Sequence, residues 1–372
     1  MTFKRLSEYF AQLEATTLRN KMTEILAALF KEAKADEIGK LCYLLQGRVA
    51  PQFSPVEFGI ADRMMVRAIA LGLDVSQDKV TKAFKQEGDL GKAVEKLKAQ
   101  SSKLKAKEKK LTILDVYEIL YNVATAGGSG SQEIKIKLLG DLLHDVDPLS
   151  SRYIVKITLA KLRMGFSDMT MLDSLSWMLA GTKELRVEIE RAYNVRPDLG
   201  FISETIKRKG IEGLRHVEPK VGTPILMARA ERMTNGKDII EKIGKCAIEP
   251  KFDGLRLQVH FRKDKGKDTS AREHPRGVPQ AQHHPWGGGI AEVEESVRLF
   301  SRNLEDVTFM YPDIVAGVRK EIKAKEAIFE GEAIGINLKT GAYLTFQETV
   351  QRKRKDKIDA TAKKVPLKLI AF

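Results

Sequence analysis

Cysteine is nearly absent from this chain: two in 372 residues, Cys42 and Cys246, far apart in sequence. That excludes a disulfide framework and a cysteine-built zinc ribbon, and it points to a reducing cytosolic setting. Long apolar runs are missing too. No stretch of 18 apolar residues exists, which excludes a membrane-spanning helix. The first twenty residues mix charge throughout, from Lys4 and Arg5 to Glu8, Glu14 and Arg19, so they lack the apolar core of a secretory signal. Acid is in deficit: 50 Asp and Glu against 64 Lys and Arg leave a net charge of +14. Clustered cations gain affinity by releasing counterions from phosphates, so a polyanion is the expected partner. The bland alternative is a basic protein kept soluble by its charge. Apolar residues still make up 43% of the chain, enough for two or three folded domains.

Residues 1 to about 215 read as helical. Leu18, Met22, Ile25 and Leu29 fall on one helix face, and Val155, Leu159 and Leu162 do the same. Gly47, Pro51 and Pro55, then Gly72 and Asp74, read as helix ends and loops. Lysines crowd residues 92 to 110, among them Lys92, Lys96, Lys98, Lys103, Lys105, Lys107, Lys109 and Lys110. This is either a solvated face or a nucleic-acid contact. The glycine-rich loop Gly127-Gly-Ser-Gly-Ser131 precedes a helix expected over Ile134 to Leu143, with Ser131 as its cap. It is an ordinary turn or a cradle for a phosphate oxygen. A further amphipathic helix is expected from Tyr153 to Met164, carrying Lys156, Lys161 and Arg163 and stopped by Gly165. The next should begin near Ser167 or Asp168 and bury Leu175.

Pro219, Gly222 and Pro224 change the texture and place a domain boundary near 215. Beyond it, strands dominate. Leu255, Leu257, Val259 and Phe261 alternate with Arg256, Gln258, His260 and Arg262. Ala327 to Ile336 and Leu367 to Phe372 are further strands. Residues 262 to 290 lack periodicity and are rich in Pro, Gly and His, so they read as a disordered insertion. His274, His283 and His284 within it have no acid or cysteine at ligand-like spacing, which argues against a metal there.

Chemistry concentrates at Glu249-Pro-Lys251-Phe-Asp-Gly-Leu-Arg256. Lys-x-Asp-Gly at a strand junction offers an amine as a nucleophile toward a nucleotide α-phosphate. A free lysine is protonated near neutral pH, so desolvation, a nearby cation or a metal must favour its neutral form. Arg256 supplies positive charge and a fork for phosphate oxygens. Gly254 lets backbone approach the nucleotide. Glu330 and Glu332, two apart on a strand, face one side and suit Mg²⁺ or a ribose hydroxyl.

Taken in order, these segments resemble ATP-dependent DNA ligases of the archaeal and eukaryotic replicative type. Glu249 to Arg256 matches that family's first nucleotidyltransferase motif. Phe300 to Thr308 with Tyr311-Pro-Asp313 matches the next, and Phe329-Glu-Gly-Glu332-Ala the third. Phe346-Gln347 through Arg352-Lys-Arg-Lys355 resembles a further basic stretch, and Gly127 to Glu133 and Leu162 to Phe166 match the helical DNA-binding domain.

The resemblance implies an α+β multidomain fold. An all-helical DNA-binding domain over 1–215 is followed by an antiparallel-sheet nucleotidyltransferase domain over 216–372. It implies ATP and Mg²⁺, an AMP-lysine at Lys251, adenine contact by Glu249 and nucleotide contacts by Arg256 and Arg302. Glu332 would hold ribose or metal, and Phe372 would stack on adenine. Gly128, Ser129, Gly130, Ser131, Lys161 and Arg163 would contact DNA. It also implies a monomer on nicked duplex, serving replication, repair and recombination in the cytoplasm (at the nucleoid in an archaeal cell), with a sliding clamp as a second partner.

The chain departs from that pattern in lacking a Glu-Gly-x-x-x-Lys motif and an OB-fold domain. It therefore reads as a C-terminally truncated fragment with an incomplete catalytic domain and impaired activity. Glu330 stands where aspartate is commoner. Two other readings stay open. One is an RNA ligase or capping nucleotidyltransferase, which shares Lys-x-Asp-Gly chemistry; the other is a non-catalytic DNA-binding remnant.

Overall fold

The computed structural model describes residues 1–101, 108–228, 230–263, 295–353 and 358–372. They divide into two compact units. One holds Met1–Tyr193 and Pro197–Glu218; the other holds Asn194–Arg196 and the described residues from Pro219 onward.

The first unit is helical throughout. Its elements are α1 (Phe3–Glu14), α2 (Arg19–Glu32), α3 (Ile38–Leu45), α4 (Asp62–Leu73), α5 (Gln77–Glu87) and α6 (Leu90–Ala99). They continue with α7 (Ile113–Thr125), α8 (Ser131–Asp145), α9 (Pro148–Thr158), α10 (Asp168–Ala180), α11 (Arg186–Val195) and α12 (Leu199–Lys209). Side-chain caps start many of them: Thr2, Ser76, Asp89, Thr112, Asp147 and Asp198 each accept a first-turn N–H. α2 packs on α10, α4 on α8, α6 on α9 and α3 on α12.

Several local expectations are corrected here. The α2 stripe is Met22, Ile25 and Leu29; Leu18 precedes the helix and is 69% exposed. The break expected at Gly72 and Asp74 falls at the end of α4, which runs to Leu73 and is capped by Asp74 in the left-handed region (φ 54°). Gly72 has a second use that the sequence does not reveal: α4 crosses α8 there, and a Cβ would sit 2.4 Å from the Gly140 carbonyl oxygen.

α9 ends at Thr158, well short of Met164. Ala160 takes the left-handed conformation (φ 53°), its N–H donates to Ile157 O, and Lys161 N–H donates to Lys156 O at 2.8 Å. That paired closure terminates the helix, so Leu162 is off its apolar face. Lys161 and Arg163 lie on the following loop, and Gly165 is a loop residue rather than the cap. α10 begins at Asp168 and buries Leu175, as the sequence predicts.

Two lysines expected at the surface, as solvated groups or nucleic-acid contacts, are interior. Lys156 is buried and binds Glu14 and Asp89. Lys98 is buried and donates to the carbonyls of Leu143 and His144, capping the end of α8. Burial pushes its pKa down to about 8.

The second unit is built on a four-stranded antiparallel sheet. Its strands are β1 (Leu255–Lys263), β2 (Glu295–Ser301), β3 (Glu326–Gly335) and β4 (Leu367–Ala371), in the order β2-β1-β3-β4. The expected alternation of β1 holds. Leu257, Val259 and Phe261 are buried with Leu299, Ala333 and, from α14 (Pro312–Glu321), Ile314 and Val318. Each of these side chains larger than alanine stabilises the fold by about 1.5–3 kcal/mol. Arg256, Gln258 and His260 occupy the opposite face.

Smaller elements complete the unit: α13 (Gly236–Ile243), α15 (Phe346–Thr349) and α16 (Ile358–Lys364). Arg352 is fully buried and binds Asp313, whose other oxygen accepts the Leu367 N–H at 3.2 Å. That tie fixes the start of β4 to α14. β1 continues through Lys263, past the expected start of the insertion. The remainder of the insertion, with His274, His283 and His284, lies outside the described residues.

Candidate functional site

The polar face of the sheet is assembled by register. Antiparallel pairing sets Arg256 opposite Glu332 and Gln258 opposite Glu330. Cross-strand partners share a face, so the strand pair itself gathers these charges. Glu330 accepts from Arg256 Nη2 on one oxygen and from Gln258 Nε2 (3.1 Å) on the other. The Arg256 guanidinium also lies over the Phe372 ring, 5.0 Å from its centroid. Phe372 is held there by its own N–H, which donates to the Glu330 carbonyl at 3.1 Å.

Lys251 sits on the segment entering β1, exposed, with Glu249 and Asp253 exposed beside it. Phe252 packs edge-on to Tyr343, ring centres 6.3 Å apart. Gly254 pins this segment to β3. Its N–H donates to Glu332 Oε1 at 3.0 Å, and a Cβ at that position would meet the Ala333 carbonyl oxygen at 2.5 Å. Only glycine fits so close a backbone approach. Burial raises the Glu332 pKa. The Gly254 N–H and the positive charges of Arg256 and Lys251 offset this only in part, and Asp253 adds to the rise. Glu332 is thus a carboxylate short of positive partners.

Gln258 and His260, which the sequence reading left as plain strand residues, are buried on this face. Gly222 N–H donates to His260 Nδ1 (3.1 Å), and His260 Nε2 lies 2.9 Å from Gln258 Oε1. Gln258 also exchanges bonds with Ile225 in both directions, at 2.7 and 3.0 Å. The signal that could have found them is polar side chains at the centre of a strand flanked by others. Both faces of such a strand are covered, so polar groups there need specific partners.

The structure therefore brings together Arg256, Glu330, Glu332, Phe372 and the Lys251 segment. Glu249 makes no hydrogen bond or ion pair among the described residues, and Arg302 is exposed on the turn after β2. No cluster of three metal-ligating side chains occurs among the described residues. Glu330 has both oxygens engaged by Arg256 and Gln258, so Glu332 is the carboxylate that fits the other way in which Mg²⁺ is held, by one or two carboxylates with substrate phosphates completing the shell.

In the helical unit, Gly128 (φ 81°), Ser129 and Gly130 (φ 79°) form an exposed turn. α8 starts at Ser131, earlier than expected; Gly130 occupies the cap position and no side chain caps the helix. Within its first turn, Ser131 N–H donates to Gly128 O (3.3 Å) and Glu133 N–H to Gly130 O (3.1 Å), so it is the Gln132 N–H that is left to solvent or a ligand. Lys161 and Arg163 are exposed, and Lys161 pairs with Asp62 at 2.7 Å. Lys92, Lys96, Lys109 and Lys110 are exposed, while Lys103, Lys105 and Lys107 lie outside the described residues.

Comparison with known proteins accords with this geometry. Residues 2–176 match the family described as DNA ligase N terminus, and residues 290–372 match the ATP dependent DNA ligase domain. Lys251 falls between those two spans, but relatives align across it. The chain is 40% identical over 372 residues to a "Probable DNA ligase" of Dictyoglomus thermophilum, covering 100% of this chain and 58% of that protein. It is 38% identical over 385 residues to a "DNA ligase" of Staphylothermus marinus, covering 100% of this chain and 59% of the relative. A "DNA ligase" of Aeropyrum pernix is 36% identical, again over the whole chain and 59% of the relative. The chain belongs to the ATP-dependent DNA ligase family, and it spans somewhat under three-fifths of the length of these relatives. No helix among the described residues is long and apolar enough to cross a membrane.

Proposed function

We propose that this chain performs the nucleotide-capture and DNA-gripping parts of nick sealing. The residues from about 216 onward act as the adenylation unit. The Lys251 amine attacks the α-phosphorus of ATP, a P–N bond forms, and the bond to the departing pyrophosphate breaks. The AMP then passes from Lys251 to the 5′-phosphate at a nick. Attack by the adjacent 3′-hydroxyl forms the phosphodiester and releases AMP. The observation that carries this reading is the Gly254–Glu332 bond, which sets the Lys251 segment at the edge of a face bearing Arg256, Glu330 and Phe372.

Roles follow from that placement. Arg256 and Arg302 hold nucleotide oxygens, the part-exposed Phe372 ring offers a flat face to adenine, and Glu249 contacts the base. Because Lys251 is exposed, its desolvation has to come from the bound nucleotide. Glu332 would hold Mg²⁺ or the ribose. When bound, Mg²⁺ supplies neutralisation of the phosphate charge that builds as pyrophosphate leaves.

The helical unit, residues 1 to about 215, grips nicked duplex. Gly128, Ser129, Gly130 and Ser131 would meet phosphate at the exposed turn that starts α8, and Lys161 and Arg163 would add charge. A cytoplasmic setting, a monomeric state and a sliding-clamp partner belong to the same proposal on family grounds. The test is incubation with α-³²P-ATP and Mg²⁺. Acid-labile label on Lys251, absent in Lys251→Ala and not formed from α-³²P-GTP, is the expected result. Label from GTP would move the chain to the capping class. No label and no ATP binding would leave a DNA-binding remnant.

A further inference from the structure

The hydrogen bonds on the polar face of β1 form a chain whose direction is fixed at one end. Gly222 N–H can only donate, so His260 Nδ1 must accept (3.1 Å). The ring proton therefore sits on Nε2 and is donated to Gln258 Oε1 at 2.9 Å. Ile225 N–H, a second obligate donor, points at the same oxygen at 2.7 Å. A flipped Gln258 amide would set N–H against N–H at both contacts. Its Nε2 is thereby turned to the Ile225 carbonyl (3.0 Å) and to Glu330 Oε1 (3.1 Å). All four bonding positions of the Gln258 amide are used.

Glu330 is thus held through one oxygen, and its second oxygen receives Arg256 Nη2. The guanidinium is steadied from two sides, by Glu330 and by the Phe372 ring. Its Nη1 has no partner among the described residues. Burial and the charge of Arg298 push the His260 pKa down to about 4, so the neutral ring this chain requires is the one present at neutral pH.

We propose that Gln258 and His260 are positioning residues for nucleotide capture: through Glu330 they fix the Arg256 guanidinium so that its free edge faces the incoming phosphate. Glu330, one methylene longer than the aspartate commoner at that position, has the reach to meet both Gln258 and Arg256. The inference rests on the reading of Lys251 as the AMP acceptor. It goes further by giving the buried polar residues of β1 a role in affinity rather than in folding alone.

A double-mutant cycle tests it, with ATP dissociation constants measured on the 372-residue chain by calorimetry. Gln258→Met keeps the side-chain length and removes the relay. It should weaken ATP binding about tenfold in the parent and less than twofold in Arg256→Ala. Glu330→Gln, at a part-exposed position that tolerates the change, should reproduce the loss if Gln258→Met fails to fold, and should likewise lose its effect in Arg256→Ala. Equal losses with and without Arg256, or unchanged affinity in folded Gln258→Met and Glu330→Gln, would overturn the inference while leaving the ligase reading intact. A parent chain that does not bind ATP would overturn the ligase reading itself, and this inference with it.

Discussion

Two part-buried glutamates, one in each unit, meet opposite fates. Burial raises the pKa of Glu14, but bonds from Lys156 and Tyr153 and the charge of Arg152 outweigh it and leave the carboxyl below its usual value. Burial also raises the pKa of Glu332. There a single backbone N–H and the charges of Arg256 and Lys251 do not make up the difference. The first carboxylate belongs to a cluster that joins α1, α6 and α9 through Arg152, Lys156, Glu95 and Asp89. The second sits on a face with bonding capacity to spare. A cluster that satisfies itself holds a fold together. A cluster left short of charge is where a ligand has something to add.

The comparison can be broken most sharply at Lys251. Lys251→Ala should abolish AMP labelling while leaving the melting temperature unchanged, because the side chain is exposed. A large drop in melting temperature would show that the open face is structural after all.

Glu14→Gln should do the reverse. Leaving Arg152 and Lys156 short of their carboxylate should destabilise the helical unit by about 2–4 kcal/mol at neutral pH. Because the folded pKa lies below the unfolded one, that contribution is present above the usual carboxylate range and is lost as pH falls through the folded value. Denaturant melts at pH 7 and pH 3 should therefore show a large gap between parent and variant closing to a small one.

His260 sharpens the contrast within the second unit. Its pKa falls from 6.5 to about 4 on folding, so between those values the unfolded chain binds the proton and the folded chain does not. Stability of this unit should fall as pH drops from 6.5 toward 4, and His260→Gln should flatten that slope. A slope unchanged in the variant would place the titration elsewhere.

Glu332→Gln should have a small effect on the fold, opposite in sign to that of Glu14→Gln. Its folded pKa lies above the unfolded one, so its ionisation is a burden once pH exceeds the ordinary carboxylate value. Removing the charge should raise stability slightly at pH 7 and have no such effect below the ordinary carboxylate range. The same change should weaken ATP–Mg²⁺ binding, which calorimetry would read directly.

Much of this was legible in the chain. The apolar alternation of β1, the glycine between Asp253 and Leu255 and the pair Glu330/Glu332 each follow from period and residue type. The start of α10 was legible for the same reason. What failed did so where a distant partner decided the outcome. The end of α4 near Gly72 was legible, but nothing local reveals that α4 crosses α8 there at backbone distance. Lys98 and Lys156 read as surface groups because lysines usually are; the carbonyls and carboxylates that hold them come from residues tens of positions away. Ala160 hid the end of α9, since a left-handed closure is ordinarily marked by glycine.

Residue chemistry and spacing alone set the arginine and the two carboxylates on strands of period two and picked out the lysine at their junction, and the order of the motifs gave the family. Strand register decided the rest. Pairing Arg256 with Glu332 and Gln258 with Glu330 is a fact about which residues of two distant segments lie side by side. No local propensity encodes it, because a shift of one residue would send every one of these side chains to the opposite face.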